Sequence, residues 1–293
     1  MRLQLVVTSV GPAVAAVVLV ACGGSAPTSS TASISTTPTA TVTSVTPSKI
    51  PSGSASPTPT GHLDVPVYWV GATPQGPRLF REFSVASPAT VGPAAVAATA
   101  VDVMLHGAAA DPAYHSGWPA GTNVATVSRH AATLFIALDV PVGSVPTASS
   151  LAVQQLVYTA TAAQPGTRDV TLRLRGSAAA MTLHHVVRAP ESDVIAPIWI
   201  IDPQWGATVS GSRITVTGTA SVFEAQFAWQ VRRDDHVVAS GTAFASVGVP
   251  QRGTFRFVTP KLPGGTYVIV AYDRSMSDGS IYAFDRAQVT LAP

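Results

Sequence analysis

Phe223-Glu224-Ala225-Gln226-Phe227-Ala228-Trp229-Gln230-Val231-Arg232-Arg233 carries an apolar residue at every second position from Phe223 to Val231. Glu224, Gln226, Gln230 and Arg232 fall on the alternate positions. Successive side chains of an extended chain point to opposite faces, so the stretch predicts a half-buried strand with Trp229 in a core and Glu224 on the opposite face. Around it lie further short, β-branched or aromatic runs: Arg213 to Thr219, Val237 to Ala243, Gly253 to Val258, Thr266 to Tyr272, and Ala283 to Leu291. Turn residues separate them and no helical pattern intervenes, which predicts an antiparallel β-sandwich over residues 189–293. A Pro-bearing joint, Ala189 to Pro197, precedes it.

Upstream of the joint the pattern changes. Val65 to Val70 and Arg78 to Val85 read as a hairpin-like pair of strands. Gly92 to His106 is Ala-rich, with Val96, Val101, Met104 and Leu105 at helical spacing and Gly107 placed as a C-cap. Asn123 to Ser128 and Thr133 to Leu138 form a strand pair around Arg129-His130. A second helix spans Thr147 to Ala162, capped by Thr147 or Ser149, and Asp169 to Leu174 alternates as a closing strand. The order ββαββαβ over residues 62–188 predicts an α+β domain.

The first 61 residues read differently. Arg2 is followed by an uncharged apolar run, residues 3–21, interrupted by Gly11-Pro12, which is the pattern of a signal peptide. The run approaches the roughly 20 residues needed to span a bilayer, but the Gly-Pro pair weakens a helix and no basic cluster follows to retain it. Leu19-Val20-Ala21-Cys22-Gly23 then resembles the bacterial lipobox, with a thiol placed to take diacylglycerol after cleavage behind residue 21. Each buried CH₂ of such a chain contributes about 0.8 kcal/mol, so lipid on Cys22 anchors the protein to a membrane without a spanning helix. From Gly23 to Gly61 the chain is Ser, Thr, Pro, Ala and Gly with scattered Val and Ile, and Lys49 is its one charge. Such a stretch buries too little apolar surface to fold. It reads as a tether over residues 22–61 with a reach of about 35 Å, solvated or glycosylated.

Composition narrows the function. Charged residues make up 11% of the 293 and the net charge is +2, so nothing steers the protein toward nucleic acid. One cysteine excludes an internal disulfide and a multi-cysteine metal site. No Gly-x-Ser-x-Gly elbow and no Ser-x-x-Lys pair occurs, so no catalytic residue is assigned and no cofactor is expected. His184-His185 are neighbours on a strand and would face opposite ways, which prevents a shared metal. His106, Asp111 and His115 lack a short-spaced ligand pair. The run from Asp273 to Gly279, with Asp278 inside it, has the density of a calcium loop, but its glycine falls at position 7 and position 12 is Phe284, so a polar turn is the favoured reading. Glu224, Asp273 and Asp278 remain candidate binding residues. Tyr68, Trp69, Trp118 and Trp205 either stack on sugars or pack a core or joint.

Two families share these motifs. Val67-Tyr68-Trp69, Leu105-His106-Gly107, Trp118-Pro119-Ala120-Gly121-Thr122, Leu138-Asp139 and Gln154-Gln155-Leu156-Val157-Tyr158-Thr159 resemble the GerMN domain of spore germination and sporulation proteins. Pro203, Val216-Thr217-Gly218-Thr219-Ala220, Phe223-Glu224-Ala225 and Tyr272-Asp273-Arg274-Ser275 resemble the immunoglobulin-like domain of bacterial spore germination. The resemblance implies an envelope lipoprotein without assigned catalytic residues. It also implies an envelope protein partner and allows self-assembly, since some domains of the first fold form rings and related lipoproteins accompany sensor kinases. The expectation is a non-enzymatic, membrane-anchored binding or scaffolding protein; a surface carrier of small molecules or wall glycans is the alternative, and a wall-modifying hydrolase ranks below both.

Overall fold

A computed structural model describes residues 62–88, 92–141, 150–176 and 180–292, all within one compact unit. The apolar leader, Cys22 and the tether lie outside the described residues, as do Thr147 and Ser149.

The first domain opens with β1 (Leu63–Thr73) and β2 (Gly76–Ala86), an antiparallel ribbon closed by a tight turn at Gly76, whose φ of 98° suits glycine. Helix α1 (Ala95–His106) follows, then β3 (Asn123–His130), β4 (Thr133–Asp139), α2 (Leu151–Ala163), β5 (Asp169–Arg175) and β6 (Met181–Val186). These four strands form a sheet in the order β3-β4-β5-β6. Only β4 and β5 run parallel, and α2 is the crossover that such a pair requires. Alanines let α1 approach α2 closely, and Met104, Leu156, Leu134, Ile136 and Leu172 fill one core with Val67 and Trp69 of β1.

The second domain is a sandwich. Strands β7 (Ile198–Asp202), β8 (Ala207–Ser210), β9 (Thr215–Ala220), β10 (Gln226–Arg233), β11 (His236–Phe244), β12 (Gly253–Val258), β13 (Gly265–Arg274) and β14 (Ile281–Ala292) form two sheets, β11-β10-β13-β14-β8 and β12-β9-β7. Trp229 is buried as its alternation predicts and stacks on Phe257 at 4.9 Å between ring centroids.

Several expectations need correction. The order of the first domain is ββαββαββ: β6 was not foreseen, nor were β7 and β8 in the sandwich, and β8 pairs parallel to β14. The first helix starts at Ala95, not Gly92, and Gly107 caps it with extended backbone. The second starts at Leu151, and its cap is Ser150, whose Oγ accepts from the Val153 amide at 3.3 Å. A four-residue helix, α3 (Glu191–Val194), occupies the joint.

Most consequential is Glu224. Strand β10 begins only at Gln226, because Phe223–Ala225 forms a 3₁₀ turn with Glu224 at φ 53°. Glu224 is therefore on a turn at the end of the sandwich, and Phe223 is exposed.

The joint is not a free linker. Tyr68, Val70, Leu79, Phe80 and Tyr158 of the first domain pack with Val194, Ile195, Ala196 and Trp199 in a separate buried cluster. The Ala196 amide donates to Leu79 O at 3.1 Å, bridging the joint to β2. Arg252 of the sandwich donates to Glu191 at 2.9 Å and to Ala196 O at 3.0 Å.

Candidate functional site

The Gln154–Thr159 motif is a brace. Gln155, fully buried on α2, donates from Nε2 to Tyr68 O and accepts at Oε1 from the Gly117 amide, each at 2.8 Å. Thr159 Oγ1 accepts from the Tyr68 amide at 3.0 Å, Gln154 Oε1 accepts from Ala189 N at 2.8 Å, and Tyr158 donates to Ala189 O at 2.6 Å. These side chains pin β1 and the start of the joint to one helix, so the motif holds structure. Burial pushes the Tyr158 hydroxyl up to about 12, which keeps it a proton donor.

Three carboxylates occupy the seam between the domains. Glu82 accepts from the amides of Ala110 and Asp111 at 2.6 and 2.9 Å, fixing the loop after α1. That loop presents Tyr114, which donates to Asp285 Oδ1 at 2.5 Å. Asp285 Oδ2 accepts from Ile200 N at 2.7 Å, so one carboxylate ties the first domain to both sheets of the sandwich. Burial pushes Asp285 up to about 7, against the stabilising pull of these hydrogen bonds. Burial also raises Glu82 and Asp111, and it carries the Tyr114 hydroxyl well above its ordinary value. Arg286 approaches Asp111 only to 3.8 Å, and Asp111 Oδ2 has no hydrogen-bond partner among the described residues.

A second feature lies at the end of the sandwich where β10 begins. A groove of about 320 Å³ is lined by Phe223, Glu224, Ala228, Tyr272, Asp273 and Met276 among others. It joins Glu224 to Asp273, which are far apart in sequence; Asp278 is outside it. Phe223 and Met276 of the lining are 59% and 87% exposed, beside two carboxylates and Arg274, and Phe244, 63% exposed, stands opposite Gln226. Partial burial raises Asp273. Asp278 is lowered by hydrogen bonds from the Ser280 and Ser275 hydroxyls. The Asp273–Gly279 run closes as a turn: Arg274 donates to Gly279 O at 2.8 Å and Ser275 N to Ser280 O at 2.8 Å.

The remaining candidates separate. Tyr68, Trp69 and Trp118 are buried, and Arg286 lies over the half-buried Trp205 ring at 5.1 Å. His106 bonds Asp102 and Thr122 O, each at 3.0 Å, while Asp111 faces the seam. His184 and His185 are not on opposite faces of a regular strand as expected: His185 has φ 52° in an irregular stretch of β6, and both are exposed. Trp199 and Asp285 carry the seam yet were not foreseen. Asp285 was legible as the one acid on the inward face Ala283, Asp285, Ala287, Val289, Leu291.

An α+β domain braced to a β-sandwich, with an apolar-rimmed groove at its end, defines a two-domain protein of binding type. Residues 66–180 match the family described as sporulation and spore germination, and residues 197–280 match the immunoglobulin-like domain of bacterial spore germination. The chain belongs with the proteins that carry these two domains, and neither domain is of a known enzyme family. Among solved structures, it is similar to the tandem GerMN domains of the sporulation protein GerM from Bacillus subtilis, with 9% identity over 47% of this chain and 48% of that one, at a TM-score of 0.35. This chain thus spans about half the length of that structure. CopC from Methylosinus trichosporium OB3b aligns with 21% identity over 33% of this chain and 94% of its own, at a TM-score of 0.25. WR4, a C. elegans MSP family member, aligns with 13% identity over 33% and 99%, at a TM-score of 0.21. No curated protein sequence matches the chain.

Proposed function

We propose that this protein is a non-enzymatic accessory of the cell envelope, held on the outer face of a membrane by lipid on Cys22, whose sandwich domain binds an envelope protein through the groove at Phe223 and Glu224. One observation carries the reading: exposed Phe223 and Met276 line a groove with Glu224 and Asp273, and exposed Phe244 stands opposite Gln226 of its lining. Exposed apolar side chains beside charged ones are what protein partners bury, with the aromatics as anchors and the charges setting orientation. The lining sets two carboxylates against one cation, Arg274, and that acidic balance favours a partner segment that is apolar with basic flanks. Support for the anchor comes from the lipobox-like Leu19-Val20-Ala21-Cys22 and the Pro-rich tether. No helix among the described residues is long and apolar enough to cross a membrane.

Crosslinking and mass spectrometry in native cells, comparing wild type with Cys22→Ala, tests this reading. It expects crosslinks from the Phe223 groove to one envelope protein, lost when the anchor is removed. Crosslinks that avoid the groove, or persist unchanged in Cys22→Ala, contradict it.

A further inference from the structure

The four-stranded sheet of the first domain covers its core with one face, and no helix or strand among the described residues covers the other. Residues on that open face fall in rows across the strands. Thr126 stands opposite Ala137, Ala137 opposite Arg173, and Arg173 opposite Thr182. Two residues along, a distance of about 7 Å, lies the row Ser128, Phe135 and Thr171. On the other side Asp139 stands beside Arg175. Ala137 is short, so the middle row is a floor between the Phe135 ring and the Asp139–Arg175 pair. The depression encloses about 620 Å³ and is also reached by His184, a volume in the range of small-molecule sites.

Its chemistry is lopsided. Arg175 donates twice to Asp139, at 2.8 and 3.0 Å, which neutralises both. The Arg173 guanidinium has no hydrogen-bond or ion-pair partner among the described residues. No carboxylate is among the described residues that line the depression, and Asp169, on the same face beyond Thr171, bonds His185 at 3.1 Å. Phe135 is 39% exposed, with its ring edge-on to His130. An open sheet face is ordinarily polar; this one sets a bare aromatic ring, an unpaired guanidinium and threonine hydroxyls around a hollow.

We infer that this face is a binding site for an acidic sugar. The aromatic ring meets the C–H face of a pyranose, the guanidinium takes its carboxylate or phosphate as a two-pronged donor, and Thr126 and Thr182 exchange hydrogen bonds with ring hydroxyls. Asp139 cancels Arg175 and Asp169, farther along the same face, is bonded to His185, so the unpartnered Arg173 guanidinium is the group that selects the anion. Tyr68, Trp69 and Trp118, buried in the core, take no part.

Calorimetric titration of the full chain in detergent tests the inference with four probes: oligogalacturonate, glucose 1-phosphate, neutral chitotriose and oligoglutamate. Binding of either acidic sugar, at least about tenfold tighter than chitotriose, is expected, and the first two probes distinguish carboxylate from phosphate. Arg173→Ala and Phe135→Ala should each weaken that binding about tenfold with an unchanged melting temperature, and Arg173→Lys should recover part of it. Equal binding of chitotriose, equal binding of oligoglutamate, no binding of either acidic sugar, or full affinity in Arg173→Ala overturns the assignment.

Discussion

The Tyr114 hydroxyl, from the loop after α1, donates to Asp285 Oδ1 on β14 at 2.5 Å, across the boundary between two domains. Asp285 is buried, and its raised value of about 7 makes the seam proton-sensitive. The sign follows from linkage. Between the ordinary value of 3.8 and about 7 the folded protein holds a proton that the unfolded chain has released. Stability contributed by this group is therefore complete below the unfolded value and is lost as pH rises through 7, by up to about 1.4 kcal/mol per pH unit. Urea unfolding at pH 5, 6, 7 and 8 should show that decline. In Asp285→Asn the slope should shrink without vanishing, because Glu82 and Asp111 are raised in the same direction. Parallel curves for the two proteins would sink the assignment.

Gln155 satisfies two backbone groups with one side chain, the buried Tyr68 O and the part-buried Gly117 N. Gln155→Leu keeps the volume and orphans both Tyr68 O and Gly117 N. The buried Tyr68 O costs about 1–3 kcal/mol when orphaned and the part-buried Gly117 amide about 1, so a loss of about 2–4 kcal/mol is expected in chemical denaturation. A loss below 1 kcal/mol would mean that the brace is dispensable.

Arg252 holds the joint from the sandwich side through Glu191 and Ala196 O. Arg252→Ala should accelerate amide hydrogen exchange at Ala196, which donates to Leu79 O, while leaving β10 and β13 protected. Unchanged exchange at Ala196 would show that the apolar cluster around Trp199 suffices alone.

Gly241 gives the Trp229 ring its room. A Cβ there would lie 2.5 Å from Trp229 Cζ2, and the ring is already stacked on Phe257. Gly241→Ala should cost about 1–3 kcal/mol through overpacking and shift the Trp229 indole resonance. Wild-type stability would require a ring position other than the one described.

Where a strand has one buried face, period-two alternation locates it, and β10, β12, β13 and β14 follow from sequence. Strands that break the period do not. Ile198–Asp202 is apolar almost throughout and shows no alternation; β8 is four residues long; β6 has an irregular stretch at His185. Phe223 continues the apolar period of β10 on paper, but a left-handed backbone at Glu224 ends the strand before it, and no propensity of glutamate announces that geometry. The candidate site was legible in its parts only. Glu224 and Asp273 can be named from sequence, but their meeting in one groove depends on β10 and β13 lying side by side. The Gln154–Thr159 motif stands out in sequence, and only its partners show that it braces the fold.

The proposed role of the groove at the end of the sandwich is to receive a protein partner. Its most direct measurement places a photoactivatable crosslinking residue at Phe223, at Phe244 and, as a control at the opposite end of β10, at His236, in the full anchored chain in native cells. The account predicts that one envelope protein is captured from Phe223 and Phe244, that His236 captures none of it, and that Glu224→Lys reduces the capture by at least about tenfold. Equal capture from His236, or full capture in Glu224→Lys, would contradict it.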